Sequence, residues 1–424
     1  MNERLIAALQ TGAALTSVLL MGAAGLQLLR RFVLVLQGRE AADGLDRRVA
    51  HLPLPVREMA MAAGAALISR IAVYLIAWGM LTLIEAEGGV FETLKRLWLH
   101  WDTRHYIGIA ESGYTAAGDD RLRLVFFPLY PVLMRVFSAL TGGDVFYGGL
   151  IVSLLCTMGA SALICDLGMM HGGRKTAMLC VAYFLLSPMS VFLNCAYTEA
   201  LFIFLTMGAL CLSRRGHPWL AALCGAASAL TRMPGVIVAG IFVIGMFAGI
   251  LKACATFKDA ALCAGQVLLV FSGLFIYWGI NWFVTGDPFT YLVYQKENWY
   301  QSAGSFWETA RTTMYYVLSV FGAEDWFFCW VTQLIAMFAV YALFALRQKE
   351  LPFDLAAYSF VYIAVVLSPT WLLSGPRYLY ALCAMPLLKA KMVRSDLLHG
   401  VLLAIGAALL VLYTFGYTIA IAVL

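Results

Sequence analysis

A chain of 424 residues in which 62% are apolar and 12% are charged falls far below the roughly one quarter of charged residues that a soluble domain carries. A soluble fold is excluded, and apolar runs long enough to cross about 30 Å of hydrocarbon recur from end to end. The net charge of +5 is dispersed over short linkers, so it reports membrane topology and not a nucleic-acid partner.

The first apolar stretch, Leu5 to Leu36, exceeds a signal peptide's apolar core, and its small residues Gly22, Ala23, Ala24 and Gly25 sit mid-segment and not at a cleavage site. It reads as a retained helix, and residues 1–57 as an additional N-terminal helix with a basic linker ahead of a bundle over 58–424. Further spans are expected near 58–84, 146–168, 176–194, 197–213, 218–233, 235–251, 262–284, 327–346, 354–372, 376–390 and 398–421, about twelve in all. With the N-terminus outside, every basic linker then falls on the cytoplasmic side: Arg30 to Arg57, Arg174-Lys175, Arg214-Arg215, Lys252 to Lys258, Arg347 to Lys349 and Lys389 to Arg394. Leu124 to Leu140 carries two prolines and an arginine and reads as re-entrant or interfacial.

The other face receives two long connections, about 85–145 and 285–326. It also receives tight turns at Tyr197-Thr198-Glu199, Thr231 to Gly235 and Gly375-Pro376-Arg377. In the first connection, Phe91 to Leu99 and Thr103 to Tyr114 are short amphipathic helices whose aromatics Trp98, Trp101, Tyr106 and Tyr114 suit the membrane interface. Neither internal repeats nor low-complexity tracts stand out. The ten cysteines form no CxxC pair and lie in apolar surroundings, so neither a disulfide framework nor a zinc site is indicated.

Asp102, in WLHWDTRHYIGIAESGY, has two compatible readings: an N-cap for the helix that follows, and a general base towards a hydroxyl. His100 and His105 flank it with poor ligand spacing, which favours hydrogen bonding over a metal site. Asp119-Asp120 reads as a solvated turn, and no metal is assigned. Glu199 opens a helix, where an acid suits the positive end of the dipole, yet an isolated carboxylate between apolar helices also suits a functional or supporting role. Arg232 and Arg377 break the charge pattern of their face; they suit a lipid phosphate or pairing with Glu199. Arg70 and Asp166, within spans, are expected to pair.

The motifs WDTRHYIGIAESGY, FFPLYPVLMR, SPMSVFLNCAYTEALF, SRRGHPWLAALCGAASALTRMPG and SGPRYLY occur in that order over about residues 60–390. Together they resemble the PIG-V-like mannosyltransferases, whose eukaryotic members add the second mannose in GPI-anchor synthesis. The resemblance implies an all-α, GT-C-type bundle that uses a polyprenyl-phosphate mannose donor on the extracytoplasmic face, with inversion and without a cofactor or metal. It places the catalytic carboxylate on Asp102, the aromatic-Ser/Thr-Glu turn on Tyr197, Thr198 and Glu199, and the arginine before the small-residue turn on Arg232.

Donor phosphate would rest on Arg232 and Arg377, sugar or acceptor against Trp101, His105 and Tyr197, and the donor's lipid chain in an apolar groove near the loop mouth. The acceptor is a glycolipid, a glycan or a protein; the second large connection has no signature that selects among them. Another polyprenyl-phosphate sugar is the near alternative, and a lipid transporter or flippase, which predicts inverted repeats, the distant one. The expected location is a bacterial plasma membrane, with the endoplasmic reticulum as the alternative.

Overall fold

The computed structural model describes residues 3–41, 53–84, 90–251, 255–323 and 325–421. Parts of the basic linkers 30–57 and 252–258, and residues 85–89 of the first connection, therefore lie outside the described residues. Within them the chain is helical, with an isolated β-bridge between Ala303 and Pro369. This is the expected outcome for an apolar chain, because in hydrocarbon only a helix satisfies its backbone groups within one segment.

In chain order the helices are α1 Glu3–Leu36, α2 Val56–Ile84, α3 Val90–Trp98, α4 Asp102–Ser112, α5 Leu129–Ser138, α6 Val145–Leu185, α7 Glu199–Arg214, α8 Pro218–Ala229, α9 Ala239–Leu251, α10 Phe257–Thr285, α11 Thr290–Trp299, α12 Phe306–Ser319, α13 Thr332–Arg347, α14 Phe353–Val366, α15 Gly375–Tyr380, α16 Met385–Met392 and α17 Asp396–Thr418. Local chemistry marks the ends. Thr256 and Asp259 form a reciprocal capping box before α10, and Gly286, in the left-handed region, stops it. Asp144 and Ser395 cap α6 and α17.

Among the described residues, seven helices are long and apolar enough to cross a membrane, or nine if two sharply bent pairs each count as one span. Counted so, with Val145–Leu185 taken as one helix, this is fewer than the twelve expected. The expected spans 218–233 and 354–372 contain α8 and α14, of 12 and 14 residues, short of the 17 or so that a crossing needs. The expected span 376–390 is broken into α15 and α16.

One long helix is in fact a hairpin. Gly173 has φ 73° and ψ −170°, and a methyl group built on Gly168 would lie 2.5 Å from the Cα of Ala177. Nine residues of straight helix span about 13.5 Å, so the chain folds back at Gly173 and the two spans expected at 146–168 and 176–194 meet there. The segment expected to be re-entrant or interfacial is one of the bent pairs, Asp119–Val125 followed by Leu129–Thr141 at 107°; the other is Pro188–Asn194 followed by α7 at 102°.

The N-terminal helix is built into the bundle, against α12, α13 and α14. Its Arg31 donates to the carbonyls of Gln348 and Leu351 and pairs with Glu40, while Gln348 donates back to Ala24. Helices α8 and α10 touch through Gly273, where any Cβ would stand 2.1 Å from the carbonyl oxygen of Ala226.

The expected pair of Arg70 and Asp166 does not form. Asp166 is held by Arg215 at the Arg214-Arg215 turn, beside a second buried pair, Arg214 with Asp354 at 2.5 Å. Arg70 instead donates to the carbonyls of Leu185 and Ser190 and to Asn194 Oδ1, and Asn194 returns a bond to the Arg70 carbonyl. The end of α6 leaves the Leu185 carbonyl without an intrahelical donor, and a guanidinium with five donors serves it, together with the Ser190 hydroxyl, while also reaching the 3₁₀ turn that follows. The nine described cysteines are all free.

Candidate active site

Four charged side chains from four distant stretches meet in one cluster. Asp102 is the first residue of α4, Glu199 the first of α7, Arg232 precedes the 3₁₀ turn Met233–Val238, and Arg377 sits on α15. Arg377 bridges the two acids, its Nε donating to Glu199 Oε1 at 2.5 Å and its Nη1 to Asp102 Oδ2 at 2.8 Å. Arg232 Nη1 reaches the same Glu199 oxygen at 2.7 Å. The order is therefore Asp102, Arg377, Glu199, Arg232, and the formal charges cancel.

The two acids differ in access. The Glu199 side chain is 0% exposed and that of Asp102 28%, so only Asp102 can meet a substrate without rearrangement. A carboxylate buried as deeply as Glu199 persists because two guanidiniums surround it. Its Oε2 has no hydrogen-bond partner among the described residues.

Aromatic faces hold the guanidiniums. Arg377 lies 4.4 Å from the Tyr197 ring centre and 5.2 Å from that of Phe192; Arg232 lies 4.7 Å from Tyr378 and 5.9 Å from Phe202. Stacking of this kind suits arginine, whose delocalised charge is weakly hydrated. The turns that carry these groups are fixed by close packing. Gln333 bonds Thr313, the Leu372 carbonyl and the Gly375 amide, gripping the turn ahead of Arg377. A Cβ on Gly235 would stand 2.3 Å from the Ala229 amide nitrogen, so the turn after Arg232 admits only glycine.

Asp102 is not the N-cap. That position falls to Trp101, at φ 43° and without a side-chain capping bond, and the Asp102 carboxylate serves Arg377. A bulky residue in the left-handed region is strained by about 1–3 kcal/mol. Here Trp101 is held edge-on against Tyr417, with ring centres 4.9 Å apart, and beside His100. The kink ends the surface helix α3 and turns Asp102 into the cluster.

Tyr197 and Thr198 are buried, and the Tyr197 hydroxyl donates to the His100 carbonyl and accepts from Tyr417. His100 thus contributes its backbone. His105 stacks on Phe126 at 4.7 Å and meets Trp299 of α11 edge-on at 6.1 Å. Burial lowers the pKa of both imidazoles below the ordinary 6.5; neighbouring Arg104 adds to this at His100, whereas Asp102 opposes it at His105. Asp119 and Asp120 lie on an exposed 3₁₀ turn with Arg121 and Arg123. No group of three potential metal ligands occurs among the described residues.

The site residues picked from the sequence therefore divide. Asp102, Glu199, Arg232, Arg377, Tyr197 and Trp101 come together; Thr198 lies in the wall and His105 to one side. Phe192, Tyr378, Tyr417, Phe126, Trp299 and Gln333 were missed. Phe192 and Tyr378 stand inside quoted motifs, but an apolar aromatic in a membrane helix gives no sign of stacking on an arginine.

Residues 87–276 match the family described as Mannosyltransferase (PIG-V), a range that includes Asp102, Glu199 and Arg232. Among curated proteins, the chain is similar to GPI alpha-1,6-mannosyltransferase 2 of Mus musculus, with 33% identity over 152 residues, 33% of this chain and 30% of the relative. The Homo sapiens relative of the same description is 32% identical over 155 residues, again 33% and 30% of the two chains. The match thus spans under a third of the relatives' length. The fold is similar to that of ArnT from Cupriavidus metallidurans, with a TM-score of 0.50 and 13% identity over 85% of this chain and 77% of that one.

The fold is that of an all-α, multi-pass membrane protein, similar in architecture to ArnT. Within that fold, residues 87–276 are similar to the PIG-V mannosyltransferases.

Proposed function

We propose that the protein is an integral-membrane glycosyltransferase that moves a mannosyl group from a polyprenyl-phosphate donor to an acceptor hydroxyl. The observation that carries this reading is the Asp102–Arg377–Glu199–Arg232 cluster, three of whose members lie in the range that matches the mannosyltransferase family. Asp102, the accessible acid, takes the proton of the acceptor hydroxyl. The acceptor oxygen bonds to the anomeric carbon as the bond from that carbon to the phosphate oxygen breaks, and the electron pair leaves with the lipid phosphate. A single displacement on a β-linked donor gives an α-linked product, as with the direct attack in inverting glycosidases.

Charge develops on the leaving phosphate, and Arg232 answers it with guanidinium donors beyond the one on Glu199. Arg377 is committed to the two acids and orients Asp102. Its contribution to the phosphate is through charge. Trp101, His105 and Tyr197 border the sugar and acceptor. A departing phosphate monoester carries less charge than a nucleotide diphosphate, so the reaction runs without a divalent cation or cofactor. The working face is extracytoplasmic, by the distribution of basic linkers, and the membrane is the bacterial plasma membrane. The acceptor is a glycolipid, glycan or protein hydroxyl.

The test uses purified protein, a panel of polyprenyl-phosphate sugars and the Asp102→Asn variant. Transfer from the mannose donor that persists under chelation and falls by a factor on the order of 10³ or more in Asp102→Asn is expected, since the general base is then lost. An active, folded Asp102→Asn protein refutes the base assignment. Preference for another sugar refutes the mannosyl reading, and strict metal dependence refutes metal-free chemistry.

A further inference from the structure

Helix α15 has two faces. Arg377 points into the charged cluster, whereas Pro376, Leu379 and Tyr380 line a cavity of about 370 Å³ on the other side, as i, i+3, i+4 spacing requires. The cavity lies among the second arm of α6 and helices α13, α16 and α17, with Phe184, Ala339 and Val340 in its wall. Two of its lining residues, Phe327 and Ile335, are 40% and 62% exposed on the outside of the bundle. The cavity therefore opens sideways, towards lipid.

Its polar members are few and most are satisfied. The Tyr183 hydroxyl is bonded to His399 Nδ1, that of Thr332 to the Phe328 carbonyl, and that of Tyr380 to the Phe184 carbonyl. Lys389 differs: it lines the same cavity, partly buried, and its ammonium has no acid or hydrogen-bond acceptor among the described residues. A cation left in an apolar wall calls for a counter-charge from outside the chain. The lysine begins the basic stretch Lys389 to Arg394, the end at which a bilayer headgroup would be met.

We propose that this cavity binds an anionic phospholipid of the surrounding bilayer, with one acyl chain between α13 and α17 and the phosphate on Lys389. The apolar wall supplies affinity and the single ammonium supplies headgroup selectivity, the arrangement of basic lipid pockets between membrane helices. The site is separate from the charged cluster and does not depend on the enzymatic reading.

Native mass spectrometry of the full chain in mild detergent, titrated with phosphatidylglycerol or phosphatidylcholine of matched chains, tests it. Retention of phosphatidylglycerol is expected to exceed that of phosphatidylcholine by about fivefold to tenfold, the scale of one cation facing one anionic lipid. Lys389→Met should remove the preference and Lys389→Arg should keep it. Ala339→Phe, which fills the cavity and leaves the lysine in place, should lose the bound lipid and answers the question if Lys389→Met does not fold. Equal retention of both lipids by the unaltered protein, or a Lys389→Met variant that keeps the preference, overturns the proposal. So does tighter binding of palmitate than of phosphatidylglycerol, or one-for-one displacement by polyprenyl phosphate, which would make the cavity a fatty-acid or donor-chain site.

Discussion

Replacing Glu199 by Gln tests the energetic logic of the site. The substitution preserves shape and removes one charge from a cluster whose two acids and two arginines balance. Each close pair is worth roughly 4 kcal/mol at an effective dielectric constant near 20, and Glu199 makes two, at 2.7 and 2.5 Å. Much of that gross attraction offsets desolvation, so the relevant figure is the penalty for an uncompensated buried charge, about 3–5 kcal/mol. Asp102, more exposed, cannot neutralise both arginines. Glu199→Gln should therefore destabilise by about 3–5 kcal/mol, measured by reversible unfolding in mixed micelles. The double variant Glu199→Gln/Arg232→Gln leaves Asp102 and Arg377 as one balanced pair, and should fall short of the sum of the two single effects by about 2 kcal/mol. Additive effects, or a Glu199→Gln loss below about 1 kcal/mol, would show that the cluster is not held by charge balance.

Gly273→Val places side-chain atoms where 2.1 Å separates a Cβ from the Ala226 carbonyl oxygen; α8 and α10 must separate, a loss of at least about 1–3 kcal/mol, visible as a lower melting temperature in detergent. Arg70→Met removes the guanidinium donors to the Ser190 carbonyl and the Asn194 amide oxygen and leaves the Leu185 carbonyl with the Ser190 hydroxyl alone; at about 1–3 kcal/mol for each group left unsatisfied, proteolysis should then open the 188–194 turn. Folding lowers the pKa of His100 and His105, so the unfolded chain binds more protons near pH 6. The stabilising contribution is full above the ordinary value near 6.5 and is lost as pH falls through it towards the folded values. Melting temperatures at about pH 8 and pH 5.5 should differ, and His105→Gln should reduce the difference; an unchanged pH dependence in that variant would contradict the role assigned to burial.

The class of fold was legible because composition and backbone satisfaction leave few choices to an apolar chain, and the break at 119–141 followed from its prolines; the short helices at 90–98 and 102–112 are found, but Trp98 and Tyr106, expected at the membrane interface, are buried in the core. The number of crossings was not. Hydropathy records that 218–233 and 354–372 are apolar but not that α8 and α14 stop after three or four turns, and nothing in the composition around Gly173 distinguishes a linker from a hairpin closed over a single left-handed glycine. Charge pairing was legible in part: the pairing of Arg232 and Arg377 with Glu199 stood among the sequence alternatives and is found, whereas the pairing of Arg70 with Asp166 is not. Opposite charges within apolar spans suggest a pair of Asp166 with Arg70; in three dimensions Arg215, 49 residues later, is the partner of Asp166, and Arg70 serves carbonyls and the Asn194 amide oxygen, which carry no sequence signal.

Arg232 and Arg377 teach the same lesson in the other direction. They stand out as arginines where linker charge should be sparse, and a lipid phosphate or pairing with Glu199 are the two reasons the sequence offers. Their pairing with Glu199 supplies a reason without a ligand: each arginine is neutralised within the chain, so neither needs to obey a rule that governs uncompensated charge. The phosphate role therefore cannot rest on position. It rests on what the pairing leaves over: Glu199 uses one oxygen to receive both arginines while Asp102 stays accessible at the other end of Arg377. A cluster built only for stability would gain by burying Asp102 as deeply as Glu199. Its exposure, at 28% against 0%, is the asymmetry on which the proposed division into a working acid and a supporting one rests.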